Sequence, residues 1–207
     1  MFKVSCIQIC SGKDIRKNLN YSKKLILKAI KQKSDLIITP ETSSIFGLNK
    51  TQLFKIATSM DKDIYLKKIR KISKKYKKWI LTCVIIKEKN KIKNRSILIN
   101  PKGIIETYYD KIHMFDVMLS KKEKYLESKN FTAGKALKVA NLPWGKLGLT
   151  ICYDLRFPNM FRKLAKKGSL FISVPSAFTE TTGKKHWHSL LRARAIENFS
   201  YIFAPAQ

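Results

Sequence analysis

Short apolar runs of strand length alternate along this chain with longer, lysine-faced segments of helical period, and that alternation leaves few folds open. Residues 36–39, 79–86 and 170–174 are strand-sized and rich in β-branched or other large apolar side chains. Between them, residues 14–33 repeat Leu19, Ile26, Leu27 and Ile30 at helical spacing, and 63–77 form a second lysine-faced helix. Pro158 opens a helix that Gly168 closes, and residues 185–198 form a last helix before a strand at 201–204. Residues 2–9 alternate like an opening strand. Hairpin turns at Glu88-Lys89-Asn90, Pro101-Lys102-Gly103 and 141–145 add strands at 92–100, 104–109, 137–140 and 146–151. Residues 110–135 have weak periodicity; an irregular stretch that long in a compact domain usually carries function. The pattern predicts an α/β fold with sheet inside and helices outside, as one domain over 1–207.

Composition excludes several classes. A hydrophobic share of 44% rules out a wholly disordered chain. No apolar run approaches the roughly 20 residues needed to span a bilayer, and residues 1–9 lack the features of a secretory signal, so a soluble cytoplasmic protein with no membrane partner is expected. Cys6, Cys10, Cys83 and Cys152 are too few for a disulfide scaffold, and Cys6 and Cys10 do not pair with His at zinc-site spacing. The net charge of +29 invites a nucleic-acid reading, but the excess is mostly lysine scattered through nearly every segment. Solvated faces with weak, salt-sensitive adhesion to polyanions are expected, with no specific nucleic-acid partner.

Three places carry chemistry. In 148–158 an apolar strand delivers Cys152 to a tight turn before a helix, the geometry of a nucleophile elbow, where backbone N–H groups such as that of Tyr153 face a developing oxyanion. A structural cysteine packed at a strand end fits the same local sequence. A thiol nucleophile needs a proton acceptor. His113, His186 and His188 are available, as is Glu41, which leaves the carboxyl end of a strand through Pro40; a surface acid is the alternative there. Lys111 follows a strand among aromatics, where burial demands a charge partner.

Pro40-Glu41, the segment Lys111 to Val117 and the segment Cys152 to Pro158 resemble, in order, the three signature segments of the nitrilase superfamily. The resemblance spans the chain. It includes Pro175 to Phe178, Thr182-Gly183, His186-Trp187 and Arg192 to Asn198, which are similar to the branch containing deaminated glutathione amidase and omega-amidase. It implies a four-layer αββα sandwich, a homodimer or higher homo-oligomer, no metal and no organic cofactor. It implies Glu41 as general base, Cys152 as nucleophile, Lys111 as oxyanion stabiliser and Glu127 as a further carboxylate assisting them. The activity implied is hydrolysis of a small linear amide through a cysteine thioester, most like deaminated glutathione amidase. Omega-amidase, N-carbamoyl amino acid hydrolase and nitrilase are alternatives, and an inactive basic polyanion-binding protein is a remoter one.

Arg156 is read as a clamp for a substrate carboxylate, or else as a salt-bridge partner of Asp154 or another acid, and Phe178, Thr179 and Trp187 as pocket walls, with core packing the alternative for the aromatics. Two departures from the family pattern stand out. Asp110 precedes the lysine where relatives commonly carry a basic residue, and the chain stops at Gln207 where family members continue, so it is expected to be incomplete at its C-terminus.

Overall fold

The computed structural model describes residues 2–121 and 123–207. The opening strand β1 (Val4–Cys6) leads to α1 (Ile15–Lys31), β2 (Leu36–Ile38), α2 (Lys50–Ile56), α3 (Ile64–Tyr76), β3 (Trp79–Glu88), β4 (Lys91–Ile99) and β5 (Ile105–Asp110). Then come β6 (Asp116–Met118), β7 (Lys124–Leu126), β8 (Lys138–Leu142), β9 (Gly145–Leu149), α4 (Pro158–Lys166), β10 (Ser169–Ser173), α5 (Glu180–Asn198) and β11 (Tyr201–Phe203). One sheet has the order β1-β2-β3-β4-β5, parallel as far as β3 and antiparallel beyond it. The second has the order β11-β10-β9-β8, parallel except for the β8–β9 hairpin. β6 and β7 form a separate ribbon.

Alternation along the strands sets the layers. Leu36, Ile38, Leu81, Cys83 and Leu98 face inward and pack with Leu147, Leu149 and Ile151 of the second sheet. Ile37, Ile80, Val84, Ile97 and Ile99 point the other way, onto Ile26 and Ala29 of α1 and Leu66, Ile69 and Ile72 of α3. Each such side chain contributes about 1.5–3 kcal/mol on burial. Asp14 caps α1 by accepting from the Arg16 and Lys17 amides, and Asp63 caps α3 through the Leu66 amide. On the far side, α4 lies close over β9. A Cβ at Gly148 would sit 3.0 Å from Ser169 Oγ and 3.2 Å from Leu164 Cδ1, so glycine permits that approach. Helices α1 and α3, the two sheets, and α4 with α5 therefore make the expected four layers.

Several local expectations are revised. The opening strand is shorter than 2–9, although the Ile7 amide still donates to the Ile38 carbonyl at 2.8 Å. Helix α2 lies in a stretch with no sequence assignment; Asn49 and Gln52 form a reciprocal cap at its start. The stretch 110–135 contains the β6–β7 ribbon. Helix α5 begins at Glu180, five residues before the expected start at 185, because Thr179 caps it through the Thr182 amide.

Candidate active site

Every group at the centre leaves the end of a strand. Glu41 follows β2 through Thr39 and Pro40, Lys111 is the first residue after β5, and Cys152 follows β9 at the start of a 3₁₀ turn. Thr42 and Cys152 both hold φ at 51°, in the left-handed region that non-glycine residues avoid at a cost of about 1–3 kcal/mol each. Two such residues flanking one centre fit a turn geometry imposed to aim side chains.

Lys111 is 2% exposed and its ammonium is held by two carboxylates: Glu41 Oε1 at 2.8 Å, and Glu127 Oε1 and Oε2 at 2.9 and 2.8 Å. The expectation that a buried lysine there must be paired is met. Glu41 accepts two further hydrogen bonds, from Asn94 Nδ2 at 2.9 Å to Oε1 and from the Ala177 amide at 2.9 Å to Oε2. The Phe115 amide donates to Glu127 at 2.7 Å. Gln207 braces the Glu41 turn, donating to the Glu41 carbonyl at 2.6 Å and accepting from the Ser11 amide at 2.5 Å. The buried Cys152 thiol lies within hydrogen-bonding reach of Glu41.

Burial, then the Glu41 charge, push the Cys152 thiol well above its ordinary range, against the pull of Lys111. The resting sulfur is therefore a thiol beside Glu41, and its ionisation requires proton transfer to a base. Burial alone would discharge Lys111, but its ion pairs with Glu41 and Glu127 overcome it and hold the ammonium charged. Burial raises Glu127, with Lys111 opposing.

A second network joins the lysine segment to the elbow. Asp154, fully buried, accepts from Tyr109 OH at 2.7 Å, the Ile151 amide at 2.9 Å and the His113 amide at 3.1 Å, and lies 2.7 Å from His113 Nδ1. The His113 ring stacks on Phe157 at 3.5 Å. Of the three histidines, His113 is thus committed to Asp154, and His186 lies 3.2 Å from Arg156 Nη2; the carboxylate Glu41 is the group beside the thiol.

A cleft of about 360 Å³ opens onto Glu41, Lys111, Glu127 and Cys152. Tyr153, Arg156, Phe178 and Thr179 are among the residues that line it. Trp187 is not among the lining residues; it packs behind Phe178 with ring centroids 4.7 Å apart. Asp154 is occupied by Tyr109 and His113, and among the described residues Arg156 has no ion-pair partner, its guanidinium lying 5.7 Å from the Phe178 ring. Ile45, Phe46, Leu48, Leu53 and Phe131 form an apolar wall that the sequence reading did not anticipate. Asn94 lies among Lys91, Lys93, Arg95 and Ser96 in β4, and that polar stretch carries no local signal of its contact with Glu41.

The family model described as carbon-nitrogen hydrolase matches residues 3–207. The deaminated glutathione amidase of Yersinia enterocolitica is 38% identical over 209 residues, covering 99% of this chain and 72% of that protein. The nitrilase and fragile histidine triad fusion protein NitFhit of Caenorhabditis elegans is 35% identical, covering 99% of this chain and 47% of that protein. Its crystal structure matches with a TM-score of 0.91 at 34% identity, covering 100% of this chain and 52% of that chain. Saccharomyces cerevisiae Nit3 matches with a TM-score of 0.87 at 27% identity, covering 99% of this chain and 75% of that chain. The chain belongs to the carbon-nitrogen hydrolase family, within the nitrilase superfamily.

Proposed function

We propose that this protein hydrolyses a small linear amide bearing a carboxylate, with deaminated glutathione as the substrate its relatives favour, through a thioester on Cys152. The observation that carries the reading is the Lys111 ammonium held between Glu41 and Glu127 at the floor of a cleft that Cys152 also lines. Glu41 takes the thiol proton as the sulfur bonds to the amide carbon, and the carbonyl π pair moves onto oxygen. Lys111 Nζ and the Tyr153 N–H stabilise that oxyanion. Its collapse restores the carbonyl and breaks the C–N bond, while Glu41 returns the proton to nitrogen and ammonia leaves. Water then loses a proton to Glu41 or Glu127 and attacks the thioester; the C–S bond breaks, the sulfur is reprotonated and the acid departs. Every role is filled by protein groups, so no metal or organic cofactor is needed.

Arg156, free of an acidic partner among the described residues and lining the cleft, is suited to the substrate carboxylate, with Phe178 and Thr179 beside it. The same feature favours a second reading, omega-amidase action on a 2-oxo acid amide. Ammonia release from deaminated glutathione and from 2-oxoglutaramate, with Cys152→Ala as control, tests both. Release abolished in the variant supports the reading and the preferred substrate selects the branch; equal release from the variant refutes it. We also propose a cytoplasmic homodimer or higher homo-oligomer. Ile196, Phe199 and Tyr201, at 74%, 92% and 65% exposure, give α5 and β11 an apolar face for a partner copy, and light scattering at micromolar concentration tests it.

A further inference from the structure

Glu41 Oε1 receives two donors from neighbouring strands, Asn94 of β4 and Lys111 at the end of β5. Their relative placement depends on one rung of the sheet. Arg95 and Asp110 are cross-strand partners at the last pairing of β4 with β5, and just beyond them the Lys111 amide donates to the Asn94 carbonyl at 3.0 Å. There the chain leaves the sheet, and Thr132 takes over as the neighbour of β4, donating to the Ile92 carbonyl at 2.8 Å. β5 is an edge strand, so this rung is held by pairing with β4 on one side only.

Across the rung runs a partly buried ion pair. Arg95 is 1% exposed, and its Nε and Nη2 grip Asp110 Oδ1 and Oδ2 at 2.7 and 3.0 Å. Its guanidinium lies 3.9 Å from the Tyr108 ring centroid, and Nη1 stands 2.7 Å from Glu88 Oε1 as a charge contact rather than an aligned hydrogen bond. Successive strand residues point to opposite faces, so the pair lies across the sheet from Asn94 and Lys111 and touches neither the cleft nor Glu41. Asp110, the departure from the family pattern, is half of this clamp. Gly134 presses on the same turn: its amide donates to the Lys111 carbonyl at 2.8 Å, and a Cβ there would collide with the Asp110 carbonyl oxygen.

We propose that Arg95 and Asp110 are positioning residues of the active centre, fixing the final β4–β5 rung so that Asn94 and Lys111 converge on Glu41. The inference rests on the proposed roles of Glu41, Lys111 and Cys152, and the pair acts through them alone. A bidentate pair in a fixed plane tolerates little sliding between strands, and small misplacements at a catalytic centre lower rates by up to about 10²-fold.

The test uses Asp110→Asn, which keeps the size and one acceptor and leaves Glu88 to balance Arg95. It also uses Asp110→Glu as the conservative variant and Arg95→Met/Asp110→Leu, which removes both charges together. Two readouts are taken: kcat and KM for ammonia release, and the iodoacetamide alkylation rate at the Cys152 peptide by mass spectrometry. For Asp110→Asn, kcat falls about tenfold or more at a KM within threefold of wild type, and Cys152 alkylation slows at fixed pH because Lys111 no longer favours the thiolate. Asp110→Glu recovers part of both, and the apolar pair shows the same losses with its melting temperature preserved. Alkylation within twofold of wild type in both Asp110→Asn and the apolar pair overturns the inference whatever the substrate. Slowed alkylation in a protein that releases no ammonia from either amide sustains the clamp and refutes the substrate reading instead.

Discussion

Replacing Lys111 with Met removes the one cation that, among the described residues, pairs with Glu41 and Glu127, each of which places an oxygen 2.8 Å from its ammonium. The two carboxylates are then left facing each other, buried, with no counter-charge. Breaking a buried pair by deleting one partner costs about 3–5 kcal/mol, which for a chain of this size lowers Tm by about 6–20 °C at pH 7.5. The loss depends on pH with a definite sign. Burial already raises Glu127, and Lys111 is the group opposing that rise, so the variant holds the Glu127 carboxyl higher still. A carboxyl whose folded pKa exceeds its unfolded value contributes stability below the unfolded pKa and loses it as pH rises through the folded one. The Tm gap between wild type and variant is therefore widest at pH 7.5 and narrows toward pH 5, as Glu127 takes a proton. Differential scanning calorimetry at both pH values reads this directly. A variant melting within 2 °C of wild type at pH 7.5, or a gap that widens on acidification, would refute the idea that the cluster is a charge-compensated unit. With Lys111 in its proposed role as oxyanion donor, kcat also falls by about 10²–10³-fold in the same sample.

Glu127→Gln tests that carboxylate in catalysis: the acid limb of kcat/KM in wild type lies above the ordinary glutamate value of 4.5, and the variant loses that limb along with most activity. Arg156→Leu raises KM for carboxylate-bearing amides by about 10–100-fold, the equivalent of a charge-assisted hydrogen bond, while leaving turnover of an uncharged short amide within threefold; equal loss on both substrates would remove Arg156 from carboxylate recognition. Gly134→Ala drives a methyl into the Asp110 carbonyl and lowers stability by about 3 kcal/mol, read as a denaturation midpoint shifted at constant m-value.

The elements that could be read early are those whose signal is local. The strands 36–39 and 79–86, the β4–β5 hairpin and the α3 helix follow from side-chain period and turn residues, and burial matches them. Helix α5 was misjudged at its start because its apolar residues do not gather on one face, leaving the Thr179 cap as the only marker. Trp187 looked like a pocket wall from its place in a family segment, but its position on α5 turns it behind Phe178.

Sequence alone determined the layered α/β architecture, the strand-to-turn delivery of Cys152 and Glu41, and the need for a partner at Lys111, since each follows from nearby residues and from the expense of burying an unpaired charge. Tertiary structure decided which partners meet. Glu41, Lys111, Glu127 and Cys152 are brought together by strands far apart in the chain, and Asn94 within β4, Ala177 beyond β10 and Gln207 beyond β11 hold Glu41 only because these strands pass or end beside it. Asp154 turned to Tyr109 and His113 rather than to nearby Arg156, because the elbow carries its carboxylate into the interface between the sheets. Hydrogen bonds of this kind are fixed by three-dimensional distance, which spacing along the chain does not encode.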